Sequence, residues 1–193
     1  VIETGEGDYK EEILALNDLA QKLRKRRFDN GPINFDRHEV KFDIDESGKP
    51  IGVYFKVSKE ANKLIEEFML LANRTVAEFI GKPKDGKKPK AFVYGVHDLP
   101  DPDKMASFAA FITRFGYKIK TEGSKADLSK GINSLLANVQ GKPEENLVET
   151  IAIRAMAKAV YTTVNIGHYG LSFDYYTHFT SPIRRYPDLM VHR

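Results

Sequence analysis

The hydrophobic and polar positions fall into alternating helical and strand-like blocks. Over residues 9–27, Ile13, Leu16, Leu19, Ala20 and Leu23 recur at helical spacing. The block closes on KLRKRR, whose cations complement a helix C-terminus, and this basic end reads as a solvated terminus in preference to a nucleic-acid patch. Asn30-Gly31-Pro32 breaks the helix. Ile33, Phe35, Val40, Phe42 and Ile44 then alternate in part, Asp45-Glu46-Ser47-Gly48 forms a turn, and Ile51, Val53, Phe55 and Val57 alternate cleanly. That pattern predicts an antiparallel hairpin. Ser58 is the expected cap of a helix over about 59–80.

On a wheel of about 100° per residue, Lys63, Glu67, Arg74 and Glu78 of this helix make one polar stripe, its expected solvent face. Glu66 and Asn73 lie off that stripe, between Met69, Leu70, Ala77 and Ile80. Burying a carboxylate and an amide among apolar side chains is costly without partners. Either neighbouring backbone satisfies them, or they face a polar active-site channel. Residues 81–90 (GKPKDGKKPK) read as a solvated connection, with an accessory RNA contact as the minor alternative. Further on, a strand is expected over 91–96, a helix over 103–115, a short strand over 116–120 and a helix over 127–139 with Leu128, Ile132, Leu135 and Leu136 inward. A largely buried helix over 144–160 carries Leu147, Ile151, Met156 and Val160, with Arg154 snorkelling or paired within it. Gly167-His168-Tyr169-Gly170 is a tight turn. The fold class is α+β, mixed and helix-rich, with one β-hairpin, and there is no internal repeat or convincing interdomain linker.

Composition narrows the chemistry. The 193 residues, 41% hydrophobic, suffice for one core. The net charge of +3 is modest, so a nucleic-acid surface must come from local clustering. With no cysteine there is no disulfide, thiolate nucleophile or Cys-bound zinc, which fits a reducing cytoplasm. No apolar run reaches the length of a membrane span. Phosphate-loop, dinucleotide and serine-hydrolase motifs are lacking. Asp43/Asp45 and Asp101/Asp103 are scattered pairs rather than a metal cluster, and His97 has no companion at ligand spacing, so no metal ligand is assigned. The densest chemistry is the last stretch, YYTHFTSPIRRYPDLMVHR. Thr177, Thr180 and Ser181 precede Pro182, expected in the first turn of a helix capped by Ser181 or Thr180, and then the Arg184-Arg185 pair, flanked by Tyr175, Tyr176, Phe179 and Tyr186. This is either a solvated basic turn or a phosphate site beside base-stacking aromatics, and the density of hydroxyl, Arg and Tyr favours the second.

GHYGLSFDYYTHFTSPIRRYPDLMVHR closely resembles the signature near the end of the RNB catalytic domain of the ribonuclease II / ribonuclease R family, its bacterial ribonuclease R branch in particular. NGPINFDRHEVKF, LIEEFMLLAN and ETIAIRAMAKAVY are similar to the same family, in the same order, so the resemblance covers essentially the whole chain. It implies processive, Mg²⁺-dependent 3′-to-5′ hydrolysis of single-stranded RNA to nucleoside monophosphates. Arg184 then matches an arginine that neutralises the scissile phosphate. Glu66 matches a carboxylate at the terminal nucleotide, with Glu67 as the alternative register, and Phe35 an aromatic that clamps the last base. Arg185, Thr180, Ser181, His168, Tyr169 and Asn73 are further expected RNA contacts. The family's Asp-rich metal motif and its cold-shock and S1 domains have no counterpart here. The expectation is therefore the C-terminal part of one catalytic domain, unable to hold the metal alone. The alternative is a non-catalytic RNA-binding relative.

Overall fold

A computed structural model describes residues 1–35, 39–56, 58–82 and 89–193. Two long helices, α1 (Lys10–Asp29) and α2 (Glu60–Gly81), pack on each other, and between them comes an antiparallel hairpin of β1 (Glu39–Ile44) and β2 (Pro50–Lys56). β3 (Tyr94–Val96) follows α2, then three helices, α3 (Pro102–Thr113), α4 (Lys125–Val139) and α5 (Glu145–Ala155). β4 (Val160–Thr162) returns to pair antiparallel with β3, and α6 (Tyr186–His192) ends the chain. The mixed, helix-rich α+β class read from the pattern is the class observed.

The main core lies among α3, α4 and α5. Met105, Phe108 and Ile112 of α3 meet Leu128, Ile132, Leu135, Leu136 and Val139 of α4 and Val148, Ala152 and Ala155 of α5, with Tyr169 closing one side. All four residues expected inward on α4 are buried. Its start is set by a capping box, in which Ser124 Oγ accepts from the Asp127 N–H and Asp127 accepts from the Ser124 N–H. One member of each aspartate pair has a structural task. Asp101 caps α3 by accepting from the N–H groups of Asp103 and Lys104, and Asp45 accepts from those of Ser47 and Lys49 in the hairpin turn. Gly48 occupies the left-handed position of that turn (φ +83°).

The hairpin forms where the alternation placed it, with Val40 opposite Phe55 and Phe42 opposite Val53. Val57, residues 83–88 of the expected connection and part of the NGPINFDRHEVKF segment (36–38) lie outside the described residues.

Several expectations change. No strand forms over 116–120; that stretch is irregular, and Ile119 packs on the core beside Gly131 of α4. The helix expected to 160 stops at Ala155, because Met156 is extended (φ −71°, ψ 150°) and Val160 to Thr162 pair with β3. Its buried face is Val148, Ala152 and Ala155, while Leu147, Val160 and Arg154 are exposed. Ser58 is not the cap of α2; Lys59 stands there, and Asn62 Oδ1 accepts its N–H. Pro182 does not open a helix. It follows Ser181 in a turn closed by the Arg184 and Arg185 N–H groups on the Ser181 carbonyl, and Pro187 is the proline inside the first turn of α6.

The largest revision concerns the polar stripe of α2. Glu67 is 3% exposed, not solvated, because α1 lies over it and supplies Arg27, whose Nε and Nη2 both donate to the carboxylate, with Arg24 3.8 Å away. Arg74 lies over the Phe173 ring, 5.5 Å from its centroid. Two cations of the basic end of α1, Arg24 and Arg27, thus serve the interior, Arg27 being only 10% exposed, while Lys22, Lys25 and Arg26 are exposed as expected. Replacing Glu67 by Gln leaves the arginines against a neutral amide, and the expected loss is roughly 3 kcal/mol, the low end for breaking a buried pair, since Glu66 stays 3.5 Å from Arg27. Thermal unfolding should show a midpoint lower by about 6–12 °C for Glu67→Gln and little change for Glu66→Gln; equal shifts would contradict the assignment.

Candidate functional site

Of the last nineteen residues, those up to Thr180 run extended against α2 and the β3–β4 sheet, and the turn and α6 follow. Tyr176 accepts the Gly95 N–H at its carbonyl (3.0 Å), and Thr177 Oγ1 donates to the Val93 carbonyl (2.7 Å). From α2, buried Asn73 makes two bonds. Its Nδ2 donates to the Tyr176 hydroxyl (3.1 Å), and its Oδ1 accepts the Phe179 N–H (3.0 Å). The amide off the polar stripe is therefore satisfied by neighbouring backbone and a phenol. Asp188, fully buried at the start of α6, organises the turn that follows. Its Oδ2 accepts from the Ser181 N–H (2.8 Å) and from Arg185 Nε and Nη2 (3.2 and 2.9 Å). Stacking of Phe179 on His192 at 4.1 Å closes the loop back on itself.

These bonds bring two distant segments to one groove of about 390 Å³. α2 supplies Asn62, Glu66, Met69 and Asn73, and the C-terminal segment supplies Tyr176, His178 and Arg185. Glu66 is half-exposed at the rim, while Glu67 points to α1. Behind the groove runs a series of rings: Tyr161 to His178 (5.6 Å), His178 to Tyr176 (5.4 Å), Tyr176 to His168 (5.2 Å) and His168 to His97 (5.1 Å). Burial pushes the Tyr176 phenol up from its ordinary value. Burial first, then the Arg185 charge, holds His178 below its own. The groove thus combines a carboxylate, a guanidinium, amide groups and neutral rings, a set suited to a sugar–phosphate chain.

The expected site residues divide. Glu66, Asn73 and Arg185 share the groove. Arg184 is exposed beside it, its Nη2 3.4 Å from Ser181 Oγ. Ser181 is engaged through its backbone with Asp188, and Thr180 Oγ1 is buried with no partner among the described residues. Phe35 packs at the edge of the α3–α5 core, apart from the groove. Tyr169 is 1% exposed inside that core. His168 lies between them, its Nδ1 accepting the Leu171 N–H and its backbone paired with Phe173. Sequence reasoning did not single out Tyr161, His178 or Asp188. Asp188 carried a signal, since it stands three residues after Arg185, the spacing of a helical ion pair.

Among the described residues no three His, Asp or Glu side chains converge as a divalent ion requires, so this donor set does not fit a magnesium site of its own. None of the described helices is long and apolar enough to cross a membrane.

A family model described as "RNB domain" matches residues 2–193. The chain is 38% identical over 186 residues to ribonuclease R of Aquifex aeolicus and 40% identical over 190 residues to ribonuclease R of Thermotoga maritima, covering 95% and 96% of this chain and 25% of each relative. The solved structure of Mycoplasma genitalium RNase R in complex with ribose methylated single-stranded RNA superposes with a TM-score of 0.81 at 31% identity, over 94% of this chain and 27% of that one. The chain spans about a quarter of the length of the curated relatives it matches.

One pH dependence follows from the ring series. Burial, reinforced by His97, lowers His168 from 6.5 to about 4. The unfolded chain then binds more protons between those values, so stability is full above about pH 6.5 and falls as pH drops towards 4, by about 3 kcal/mol at most. Thermal midpoints measured from pH 7 to 4.5 should fall, and His168→Asn, which keeps an acceptor for Leu171 but cannot charge, should flatten the slope. An unchanged slope would contradict this.

Proposed function

Because the chain belongs to the RNB domain family, we propose that it is the C-terminal part of the catalytic domain of a cytoplasmic exoribonuclease that degrades single-stranded RNA processively, 3′ to 5′, to nucleoside 5′-monophosphates. The observation that carries this reading is the convergence of Glu66 and Arg185 on one groove beside the exposed Arg184. Arg185, oriented by Asp188, grips a backbone phosphate with its charge. Arg184 meets the negative charge that develops on the scissile phosphate, a role in which a fixed donor contributes a few kcal/mol to the barrier. Glu66 accepts hydrogen bonds from the hydroxyls of the terminal ribose. Phe35, packed at the edge of the α3–α5 core, lies apart from this groove and takes no part in the grip proposed here. Thr180 and Ser181 line the approach, while Asn73, His168 and Tyr169 act from behind, holding the segment in place.

In the whole protein, a Mg²⁺ ion would have to be held by residues outside this donor set, where it would supply charge neutralisation at the phosphate and an activated water, and cold-shock and S1 domains would add RNA-binding surface. This chain contributes the grip on the RNA.

The test compares the full protein, its Arg184→Ala variant and this chain alone, each with single-stranded RNA and Mg²⁺. The full protein should release monophosphates. This chain should release none. Arg184→Ala should lower turnover by about 10²–10³-fold while RNA affinity changes by less than about tenfold. Equal losses in turnover and affinity would contradict the role given to Arg184. RNA binding without any release by the full protein would favour a non-catalytic RNA-binding relative.

A further inference from the structure

The ring series reaches the groove at one hydrogen bond that the proposed machinery does not use. Antiparallel pairing of β3 with β4 sets Tyr161 opposite Gly95, whose own N–H is bound by the Tyr176 carbonyl. The Tyr161 hydroxyl thereby lies 2.7 Å from Nδ1 of His178. The opposite nitrogen, Nε2, has no hydrogen-bond partner among the described residues, and His178 lines the groove with Glu66, Asn73 and Arg185. Edge-on contact with Tyr176, itself fixed by Asn73, holds the ring plane.

Which nitrogen carries the proton follows from these partners. The groups facing the ring are Tyr161, Tyr176, Arg185, Arg184 and Asp188; burial first, then the Arg185 charge, lowers the imidazole from its ordinary value against the opposing Asp188, which favours the neutral form. A neutral imidazole has one N–H, and the hydrogen bond made by the other nitrogen decides its place. A phenol is a better donor than acceptor and an imidazole lone pair a strong acceptor, so the Tyr161 O–H donates to Nδ1. The proton of His178 then sits on Nε2.

We propose that His178 is an RNA-contacting residue, its Nε2–H donating to an acceptor oxygen of the RNA backbone in the groove, and that Tyr161 is the positioning residue that fixes the tautomer. The acceptor is a ribose 2′-hydroxyl or a non-bridging phosphate oxygen, both of which present lone pairs at the same scale of reach. The inference rests on RNA being the ligand. A neutral donor adds hold and direction beside Arg185 without adding a counterion-dependent contact, so its removal weakens binding without changing the salt slope, unlike removal of a cation.

The experiment measures binding of a single-stranded RNA oligonucleotide by the full protein and its His178→Ala, His178→Gln and Tyr161→Phe variants across a salt series. A second set of oligonucleotides carries single 2′-deoxy or single methylphosphonate substitutions. His178→Ala should weaken binding about five- to tenfold, the scale of one neutral hydrogen bond, with the salt slope unchanged. His178→Gln, whose amide N–H reaches the same point, should recover most of the loss. One substituted position should cost the wild type a similar factor and cost His178→Ala nothing; whether it is a 2′-deoxy or a methylphosphonate position identifies the acceptor. Tyr161→Phe should weaken binding two- to threefold, and ring ¹⁵N shifts of His178 should move from a single Nε2–H tautomer to a mixture. Affinity unchanged in His178→Ala, or lost equally for every substituted oligonucleotide, overturns the proposal while leaving the RNA reading intact. A wild type that does not bind RNA overturns both.

Discussion

Everything at the candidate site depends on one buried amide. Asn73 stands on α2 among apolar neighbours, where an unsatisfied side-chain amide would be costly. Its donor and acceptor are instead taken by the Tyr176 hydroxyl and the Phe179 N–H, more than a hundred residues away in sequence. Two hydrogen bonds of this kind contribute about 1 kcal/mol each, but leaving either group unpaired costs more than forming it yields. That asymmetry makes the position specific: the segment must lie where both groups meet α2. Glu66, two helical turns from Asn73, then shares a groove with Arg185.

The same logic fixes the other two sides. Glu67 cannot leave Arg27 and Arg24 without leaving a buried charge unpaired, so α1 is locked on α2 and Glu66 is the one of the two carboxylates that faces the groove. Asp188 collects the Ser181 N–H and the Arg185 guanidinium on one oxygen, so the turn through Pro182 cannot relax without releasing Arg185. Position in this fold is set by paired polar groups at the seams between elements, while apolar packing among α3, α4 and α5 supplies the rigid base.

Much of this was legible in the chain and the rest failed for identifiable reasons. Helices with one wet face, such as α4, declared both their span and their inward residues, because periodicity and burial coincide there. The hairpin was marked by alternation around a Gly-containing turn. The wheel of α2 misjudged Glu67 because a wheel records one helix, and the partner that buries Glu67 is Arg27 of another. The region after Ala155 was read as helix because Val160 continued the apolar count; its pairing with β3 is a tertiary fact, although Val160, Thr162, Thr163 and Val164 together are a β-branched signal. Placing Pro182 in a first helical turn was reasonable chemistry, but Asp188 offered Ser181 a better arrangement. Glu66 and Asn73 were flagged together by the cost of burial, and the structure resolves them differently, the amide bound inside and the carboxylate at the rim.

The central claim is that α2 and the C-terminal segment form one RNA-binding groove. A double-mutant cycle on single-stranded RNA affinity in the full protein, using Glu66→Gln and Arg185→Gln, tests it most directly. If both residues hold the same strand, the two losses should fail to add by about 1 kcal/mol, as expected for sites with a shared partner. Losses that add to within about 0.3 kcal/mol would place Glu66 and Arg185 in separate sites and contradict the account.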